Sequence, residues 1–263
     1  MKGNFILLGT GAGPGLPSFF CDCAGCQEAR RYPELARTRS GALLDTGHSK
    51  ILIDTSPDIR RQLIREEINR IDYVFLTHWH YDHFGGLGEL EYYIKLARRE
   101  PVPLFLPPSA CRQFAAAFPN LADVFTVRSW AFGQSYFFDE VCLTPLPAAH
   151  GIETAGFLLA AGDTRLAYFP DTAGLPALSA QQVAGVDWLI CDATFHGDNW
   201  YPDVHMSLEQ AIALGRQVNA RQTVPTHLSV HYSQPVTTGE LQAAAAACGG
   251  DVVVAYDGMR ITL

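Results

Sequence analysis

Short apolar segments that are followed at once by a histidine or an aspartate recur along this chain of 263 residues. Apolar runs of about four to eight residues bounded by turn residues are typical of buried β-strands. The ligand-type residues after these runs are Asp54, the loop that begins at His78, His150, Asp171, the neighbourhood of His205, and His227. Because residues beyond the carboxyl ends of strands can converge on one edge of a sheet, the pattern predicts one site built from several strand ends.

The densest part of this pattern is the segment Thr-His-Trp-His-Tyr-Asp-His, which follows the apolar run 73–76. Imidazole and carboxylate groups are common ligands of divalent metals. On an extended segment His78 and His80 point the same way, and a turn can bring Asp82 and His83 to a neighbouring position. A histidine-rich surface loop is the alternative, but four ligand-type side chains in this order favour a metal site. One short loop can therefore serve two metal ions.

The composition excludes some classes of protein and leaves others open. A net charge of −8 and a pI near 5.5 argue against a binder of long nucleic acids. No apolar stretch approaches the roughly 20 residues that span a bilayer, and the N-terminus lacks signal-peptide features. We therefore expect a cytoplasmic protein without a membrane partner, and the sequence leaves open whether it is a monomer or a homodimer.

The glycine-rich segment 9–15 invites comparison with a dinucleotide-binding fingerprint. It fails that comparison because no frame gives Gly-x-Gly-x-x-Gly and no helix pattern opens after it. A tight loop that carries backbone past a site is the better interpretation.

Three of the seven cysteines are clustered as Cys21-x-Cys23-x-x-Cys26. Three thiolates at this spacing can cover one face of a tetrahedral zinc ion and leave one position for a distant ligand. Free cysteines or a redox pair are the alternatives, and the crowding in a chain without export features favours a metal.

Hydrophobic patterning predicts alternating strands and helices without a repeat or a linker, and hence a single domain over residues 1–263. Ser207 and Gln210 form a capping-box pattern that places His205 beside a helix N-terminus, a position that favours bound anions. The predicted strands are 4–8, 42–45, 51–54, 73–76, 103–106, 141–146, 156–159, 165–169, 188–191, 223–227, 252–256 and 259–263. The predicted helices are 59–68, 90–96, 109–118, 208–218 and 239–247.

The His-x-His-x-Asp-His loop together with the later histidines and aspartate resembles the metallo-β-lactamase superfamily over nearly the whole chain. The resemblance implies an α/β fold in four αββα layers, with two metals at one edge of the paired sheets. One metal is expected at His78, His80 and His150, and the other at Asp82, His83 and His227. Asp171 would bridge the two metals, and Asp54 would orient a metal-bound imidazole from behind.

The cysteine segment resembles the PhnP family of phosphoribosyl cyclic phosphate phosphodiesterases more narrowly, as do the segments 8–11, 170–176 and 256–259. In that family the three cysteines hold a structural zinc together with a histidine. The matching position here is Val230, so His231, one residue further on, is the expected fourth ligand beside the cysteine loop at about 21–26.

These resemblances imply hydrolysis of a small, ribose-type cyclic phosphodiester by in-line attack of a hydroxide that bridges two Zn or Mn ions. His205 and Asp82 are the predicted catalytic residues, with His205 protonating the departing alkoxide. The alternatives are a metal-binding accessory protein of quinone-cofactor biosynthesis like PqqB, a ribonuclease Z-like enzyme and a thioester hydrolase. PqqB lacks the full histidine loop, and ribonuclease Z usually carries a flexible Gly/Pro-rich arm that is not evident here.

Overall fold

The chain forms two β-sheets with helices on their outer faces. The computed structural model describes residues 3–232 and 234–263. The strands are β1 Asn4–Gly9, β2 Gly41–Asp45, β3 Lys50–Ile53, β4 Tyr73–Phe75, β5 Val102–Leu106, β6 Phe125–Ser129, β7 Tyr136–Phe138, β8 Val141–Pro147, β9 Ala155–Ala161, β10 Thr164–Phe169, β11 Trp188–Asp192, β12 Gln222–Thr226 and β13 Arg260–Thr262. The α-helices are α1 Ala24–Arg31, α2 Ile59–Arg65, α3 Tyr81–Phe84, α4 Ala110–Ala117, α5 Ala177–Gln182, α6 Leu208–Gln217 and α7 Thr238–Cys248.

The first sheet has the strand order β13-β1-β2-β3-β4-β5-β6, and the second has the order β12-β11-β10-β9-β8-β7. From β3 to β6 and from β10 to β12 the neighbouring strands are parallel. The other strand pairs are antiparallel. Each sheet therefore presents several strand carboxyl ends at one edge.

Buried apolar side chains form three clusters, each of which lies between two neighbouring layers. One cluster lies between the sheets, where the Phe75 and Phe105 rings stack with centroids 4.3 Å apart and Phe157 and Tyr168 are fully buried. The second packs α2 and α4 on the outer face of the first sheet, and the third packs α1, α6 and α7 on the second sheet. Complete burial of one such side chain contributes about 1.5–3 kcal/mol. The predicted four-layer αββα arrangement is confirmed.

Most predicted elements are present within two or three residues of their expected bounds, and a few differ. The predicted strand 252–256 is wrong: only Val252 forms a bridge, to Thr223 on β12. Pro225 has no N–H to donate, so the backbone hydrogen bonds that join this segment to β12 at Thr223 and at the Pro225 carbonyl do not form a continuous ladder. The predicted helix 90–96 is present within a continuous helical segment, but its type changes from 3-10 at Leu87–Leu90 to π at Tyr93–Arg98.

Five of these strands and helices were not predicted: α1, α3, α5, β6 and β7. Strand β6 is exposed at four of its five positions, so it lacks the apolar pattern of a buried strand. Helix α5 is a six-residue helix with a single buried residue, Ser179, and it therefore has no apolar stripe.

Two hydrogen bonds, one between the sheets and one within the first sheet, hold the edge at which the parallel strands end. The backbone N–H of Ala155 donates to the carbonyl of Thr77 at 3.0 Å, and Trp130 Nε1 donates to the carbonyl of Leu76 at 2.8 Å. The ends of β3, β4, β8, β10, β11 and β12 consequently face a common space. Over residues 3–232 and 234–263, none of the helices has the length and apolar character required to cross a bilayer.

Candidate metal centre

The first group of ligand-type atoms comes from the histidine loop and the two sheet edges. His78 Nε2 and His150 Nε2 lie 2.9 and 3.2 Å from His80 Nδ1. Asp171 Oδ2 lies 3.6 Å from His78 Nε2 and 3.8 Å from His150 Nε2. Ligand atoms of a tetrahedral ion with bonds of 2.0–2.1 Å are about 3.3 Å apart, so this group fits one metal ion.

The second group lies beside the first and shares its aspartate. Asp171 Oδ1 is 3.2 Å from both His83 Nε2 and His227 Nε2. Asp82 Oδ2 is 3.6 Å from His83 Nε2 and 3.4 Å from His227 Nε2. The two oxygens of one carboxylate thus face two different groups, which is the arrangement that a bridging ligand requires.

Two atoms of the second group are buried without a well-formed hydrogen bond in the described part of the chain. They are His83 Nε2 and Asp171 Oδ1. An unsatisfied buried polar atom costs about 1–3 kcal/mol. A divalent cation between these atoms would satisfy both, so the residues present fit the metal pair that the superfamily resemblance implies.

Four of the five histidines in the two groups are held at Nδ1, which turns Nε2 toward the centre. The partners are Thr77 Oγ1 for His78 (2.9 Å), Asp54 Oδ2 for His83 (2.8 Å), the Val204 carbonyl for His150 (2.9 Å) and Thr194 Oγ1 for His227 (2.8 Å). Such partners fix the ring orientation of a metal-binding histidine and raise its basicity. Asp54 therefore lies where the sequence predicted, behind an imidazole rather than in a ligand group.

Local backbone geometry aims two of these side chains. Asp54 and His227 directly follow β3 and β12 with φ values of 62° and 55°. Non-glycine residues rarely adopt this left-handed region, and such strain clusters at functional sites. The turn after each strand directs the side chain into the space between the sheet edges.

The electrostatics of the site favour cations. Burial alone would raise the pKa of the Asp171 carboxyl, but the imidazoles of His227 and His83 hold it well below its usual range. Burial lowers the pKa of His83, yet the carboxylates of Asp171, Asp82 and Asp54 raise it well above its usual value. A proton and a metal ion would therefore compete for this imidazole.

A further histidine lies at the same edge and has a partner that the sequence analysis did not assign. His205 Nδ1 is 2.6 Å from Asp192 Oδ2, and Asp192 also accepts hydrogen bonds from the backbone N–H groups of Thr194 (2.9 Å) and Met206 (3.1 Å). Burial lowers the pKa of His205, but the hydrogen bond and charge of Asp192 raise it above its usual value. Asp192 ends β11, so the same strand-end signal that marked Asp171 could have identified it.

The environment of His205 agrees with its predicted position near a helix. Ser207 and Gln210 form the expected capping box at the start of α6. The ring of His205 stacks on His227 with centroids 5.3 Å apart and an interplanar angle of 17°. His205, Asp171 and His227 can also present one nitrogen or oxygen each to a common point. The predicted catalytic histidine thus borders the candidate metal centre.

The glycine-rich loop passes beside the centre, as predicted. The N–H of Ala12 donates to the carbonyl of Leu228 at 3.1 Å, next to His227. A Cβ on Gly13 would lie 3.4 Å from Asp82 Oδ2, at van der Waals distance, so this backbone passes directly beside a ligand-type side chain. A cavity of about 260 Å³ opens here, lined by this loop, by members of both ligand groups and by His205.

The cysteine cluster forms a separate candidate site. Cys21, Cys23, Cys26 and His231 present ligand atoms within 4.8 Å of one another. Cys26 Sγ lies 3.5 Å from His231 Nδ1, the separation of about 3.5 Å expected for tetrahedral zinc with a sulfur and a nitrogen ligand. Burial raises the pKa of Cys26 to about 12, so this thiol needs a bound cation to ionise at neutral pH.

The one-residue shift of the histidine in this cluster has a local explanation. Val230 is buried in the apolar layer beside α1, where a Cβ on Gly25 would come within 2.7 Å of its side chain. His231 follows it and reaches Cys26 instead. The structure thus brings together the four side chains that the sequence assigned to this cluster.

The fold and the two ligand groups define a protein of the metallo-β-lactamase type, and comparison with known families agrees. The Beta-lactamase superfamily domain matches residues 49–228. The chain belongs to the beta-lactamase superfamily.

Individual relatives are similar to different extents. Coenzyme PQQ synthesis protein B of Methylobacterium radiotolerans is 31% identical over 228 residues, which cover 74% of each protein. An octanoyltransferase of Porphyromonas gingivalis is 44% identical over 85 residues, and these cover 32% of this chain but only 17% of that protein. The crystal structure of a diphosphatase from the PhnP family superposes with a TM-score of 0.86 at 25% identity, over 99% of this chain and 98% of the other.

Proposed function

We propose that this protein is a binuclear-metal phosphodiesterase that hydrolyses a small cyclic phosphodiester of the ribose type. The supporting observation is the pair of ligand groups that share Asp171 and lie beside His205. Similarity to a PhnP-family diphosphatase gives the proposal further support. When bound, two divalent ions, Zn or Mn, would lower the pKa of a water molecule and neutralise phosphate oxygens.

The protein residues divide the remaining tasks. His78, His80 and His150 would hold one ion, Asp82, His83 and His227 the other, and Asp171 would contact both. Asp82 is the more open of the two carboxylates, with 20% of its side chain exposed against 2% for Asp171. Asp82 would therefore act on the face of the centre that receives the substrate.

His205 would complete the reaction by proton transfer. As the bond between phosphorus and the departing ring oxygen breaks, His205 would give its Nε2 proton to that oxygen. Asp192 holds the Nδ1 proton at 2.6 Å and so keeps Nε2 directed away from the carboxylate. His205→Ala is expected to retain both metals and to lose about 10²–10⁴ in turnover, as is typical of a lost general acid. Unchanged turnover would remove His205 from the mechanism.

A substrate screen tests the proposed class of reaction. The protein would be loaded with Zn or Mn and assayed with bis(p-nitrophenyl) phosphate, ribose cyclic phosphate and an octanoyl thioester. The proposal predicts hydrolysis of the two phosphodiesters, with the cyclic one preferred. Thioester hydrolysis alone would contradict it and would favour the acyl chemistry suggested by the short match to an octanoyltransferase.

A metal-binding accessory protein of cofactor biosynthesis is the second candidate. The 31% identity with Coenzyme PQQ synthesis protein B over most of both chains favours it. Bound metal without hydrolysis of any of these substrates would support this candidate. The complete His-x-His-x-Asp-His loop argues for the enzyme.

The remaining assignments belong to the same proposal. Cys21, Cys23, Cys26 and His231 would hold a structural zinc. The net charge of −8 supports a small-molecule substrate rather than long nucleic acid. A cytoplasmic location without a membrane partner would be tested by cell fractionation, and a homodimer by light scattering.

A further inference from the structure

Four aromatic side chains form one side of the cavity at the candidate metal centre. This aromatic wall consists of Phe195, Trp200, Tyr201 and Tyr232. Phe195 is buried, whereas Trp200 is 62% and Tyr201 51% exposed. Large aromatic surfaces are costly to leave in water, so two of them at the mouth of a site suggest a ligand that covers them.

The wall is held in place by its own contacts. The Trp200 ring meets Phe195 edge-on with centroids 5.0 Å apart and Tyr232 with centroids 5.6 Å apart. The ring of Tyr201 lies nearly parallel to Trp200 at 6.1 Å. Trp200 is thus supported from behind while one part of its surface stays accessible, as in a preformed stacking platform.

Hydrogen bonds fix the segment that carries the exposed rings. Asn199 Nδ2 donates to the carbonyl of His205 at 2.7 Å, and the N–H of Tyr201 donates to Asn199 Oδ1 at 2.9 Å. The N–H of His205 in turn donates to the carbonyl of Tyr201 at 3.1 Å. The platform is therefore tied to the histidine proposed to protonate the leaving group.

The lack of cationic side chains on the described cavity lining limits which ligands the aromatic wall can bind. Of the described residues that line it, none is lysine or arginine. Arg39 donates to the carbonyl of Gly13 near the cavity, but its guanidinium is paired with Asp58 at 3.1 Å. A second phosphate on the substrate would find no free cationic side chain on this wall, whereas an uncharged planar ring would find aromatic surface.

We infer that the aromatic wall is a stacking subsite for a nucleobase, so that the substrate is a cyclic phosphodiester whose ribose carries a base. The inference rests on the proposed function. Bases of every kind have a π-face, and stacking on an aromatic side chain makes recognition tolerant of base identity. Trp200 would be the principal specificity-determining residue.

A kinetic comparison tests the inference. Adenosine 2′,3′-cyclic phosphate and the base-free glycerol 1,2-cyclic phosphate would be assayed with the Zn- or Mn-loaded wild type, Trp200→Leu and Trp200→Phe. Tyr92→Leu is the matched control, because Tyr92 is 70% exposed and lies outside the cavity. Trp200→Leu should lower kcat/KM for the adenosine substrate about 5- to 150-fold, the equivalent of about 1–3 kcal/mol per stacked base. The ratio of kcat/KM for the adenosine substrate to that for the glycerol substrate should fall by this factor in Trp200→Leu, stay at the wild-type value in Tyr92→Leu, and be mostly recovered in Trp200→Phe.

Equal loss on both substrates, or no loss on either, would overturn the inference and leave the proposed phosphodiesterase standing. If neither substrate is hydrolysed, a binding measurement tests the stacking subsite independently of the proposed phosphodiesterase activity. Calorimetry of the metal-loaded protein would compare adenosine 5′-monophosphate with ribose 5-phosphate. Tighter binding of adenosine 5′-monophosphate than of ribose 5-phosphate, with this difference lost in Trp200→Leu, would support the stacking subsite even though the proposed function fails. Equal affinities of the two ligands would refute the subsite.

Discussion

Replacement of Asp192 by asparagine tests how the protein prepares His205 for proton transfer. The aspartate Oδ2 accepts the Nδ1 proton of His205 at 2.6 Å, while Oδ1 accepts from the N–H groups of Thr194 and Met206. In Asp192→Asn the amide oxygen would remain on the two backbone N–H groups. Its NH₂ group would then face His205 Nδ1, so the imidazole would have to accept there and carry its single proton on Nε2.

The magnitude follows from the lost ionic hydrogen bond. A hydrogen bond to a charged group contributes about 1.5–3 kcal/mol, and one pKa unit corresponds to about 1.36 kcal/mol. Asp192 raises the pKa of His205, so its neutralisation should lower that pKa. Because protonated His205 is the form that donates, activity falls as pH rises through its pKa. The alkaline limb of the profile should therefore move to lower pH in the variant.

The assay is the pH profile of kcat for the cyclic phosphodiester, with metal content measured on the same samples. Asp192→Asn should retain its metals, lose about 10- to 150-fold in turnover at neutral pH, the equivalent of about 1.5–3 kcal/mol, and show the displaced limb. Asp187→Asn is the control, because Asp187 is a half-buried partner of Arg221 outside the centre. Wild-type turnover in Asp192→Asn, with the alkaline limb of the pH profile at its wild-type position, would refute the role of Asp192 and His205 in proton transfer.

Two further predictions concern the groups that hold metal. Asp54→Asn should weaken metal binding about 10–100-fold in a chelator competition, because it removes the negative charge that faces His83 Nδ1. Asparagine tolerates the left-handed backbone at this position, so the fold should be kept. Undiminished metal affinity would show that Asp54 does not affect the centre. Cys23→Ser should lose one zinc per chain by elemental analysis and lower Tm, whereas Cys248→Ser, at an exposed thiol, should change neither. A full zinc complement in Cys23→Ser would remove the structural site.

The sequence predicts most strands and the ligand-type residues that follow them because both are strong local signals, whereas the four layers and the division into two metal groups were implied by the superfamily resemblance. Buried strands such as β3 and β10 are short apolar runs, and the residues that follow them are Asp54 and, two positions on, Asp171. The change of helix type within the predicted helix 90–96 was not predicted, and the loss of strand 252–256 depends on hydrogen bonding to β12, which is distant in the chain. In the second case a single proline on the neighbouring strand is decisive.

Partners of the site residues were harder to predict than the residues themselves. Thr77 and Thr194 hold histidine Nδ1 atoms, and the carbonyl of Val204 holds a third. Threonine hydroxyls and backbone carbonyls are too common to be singled out in a sequence, and only the folded geometry selects them. The aromatic wall is similar, because Phe195 and Tyr232 are far apart in the chain and meet only when β11 and β12 are paired.

The central claim is that several strand ends assemble a two-metal centre around Asp171. Anomalous diffraction from crystals of the zinc- or manganese-loaded protein tests it most directly. The account predicts two peaks about 3.5–4 Å apart on either side of the Asp171 carboxylate. A single peak there, or two peaks of which Asp171 contacts only one, would contradict the shared centre.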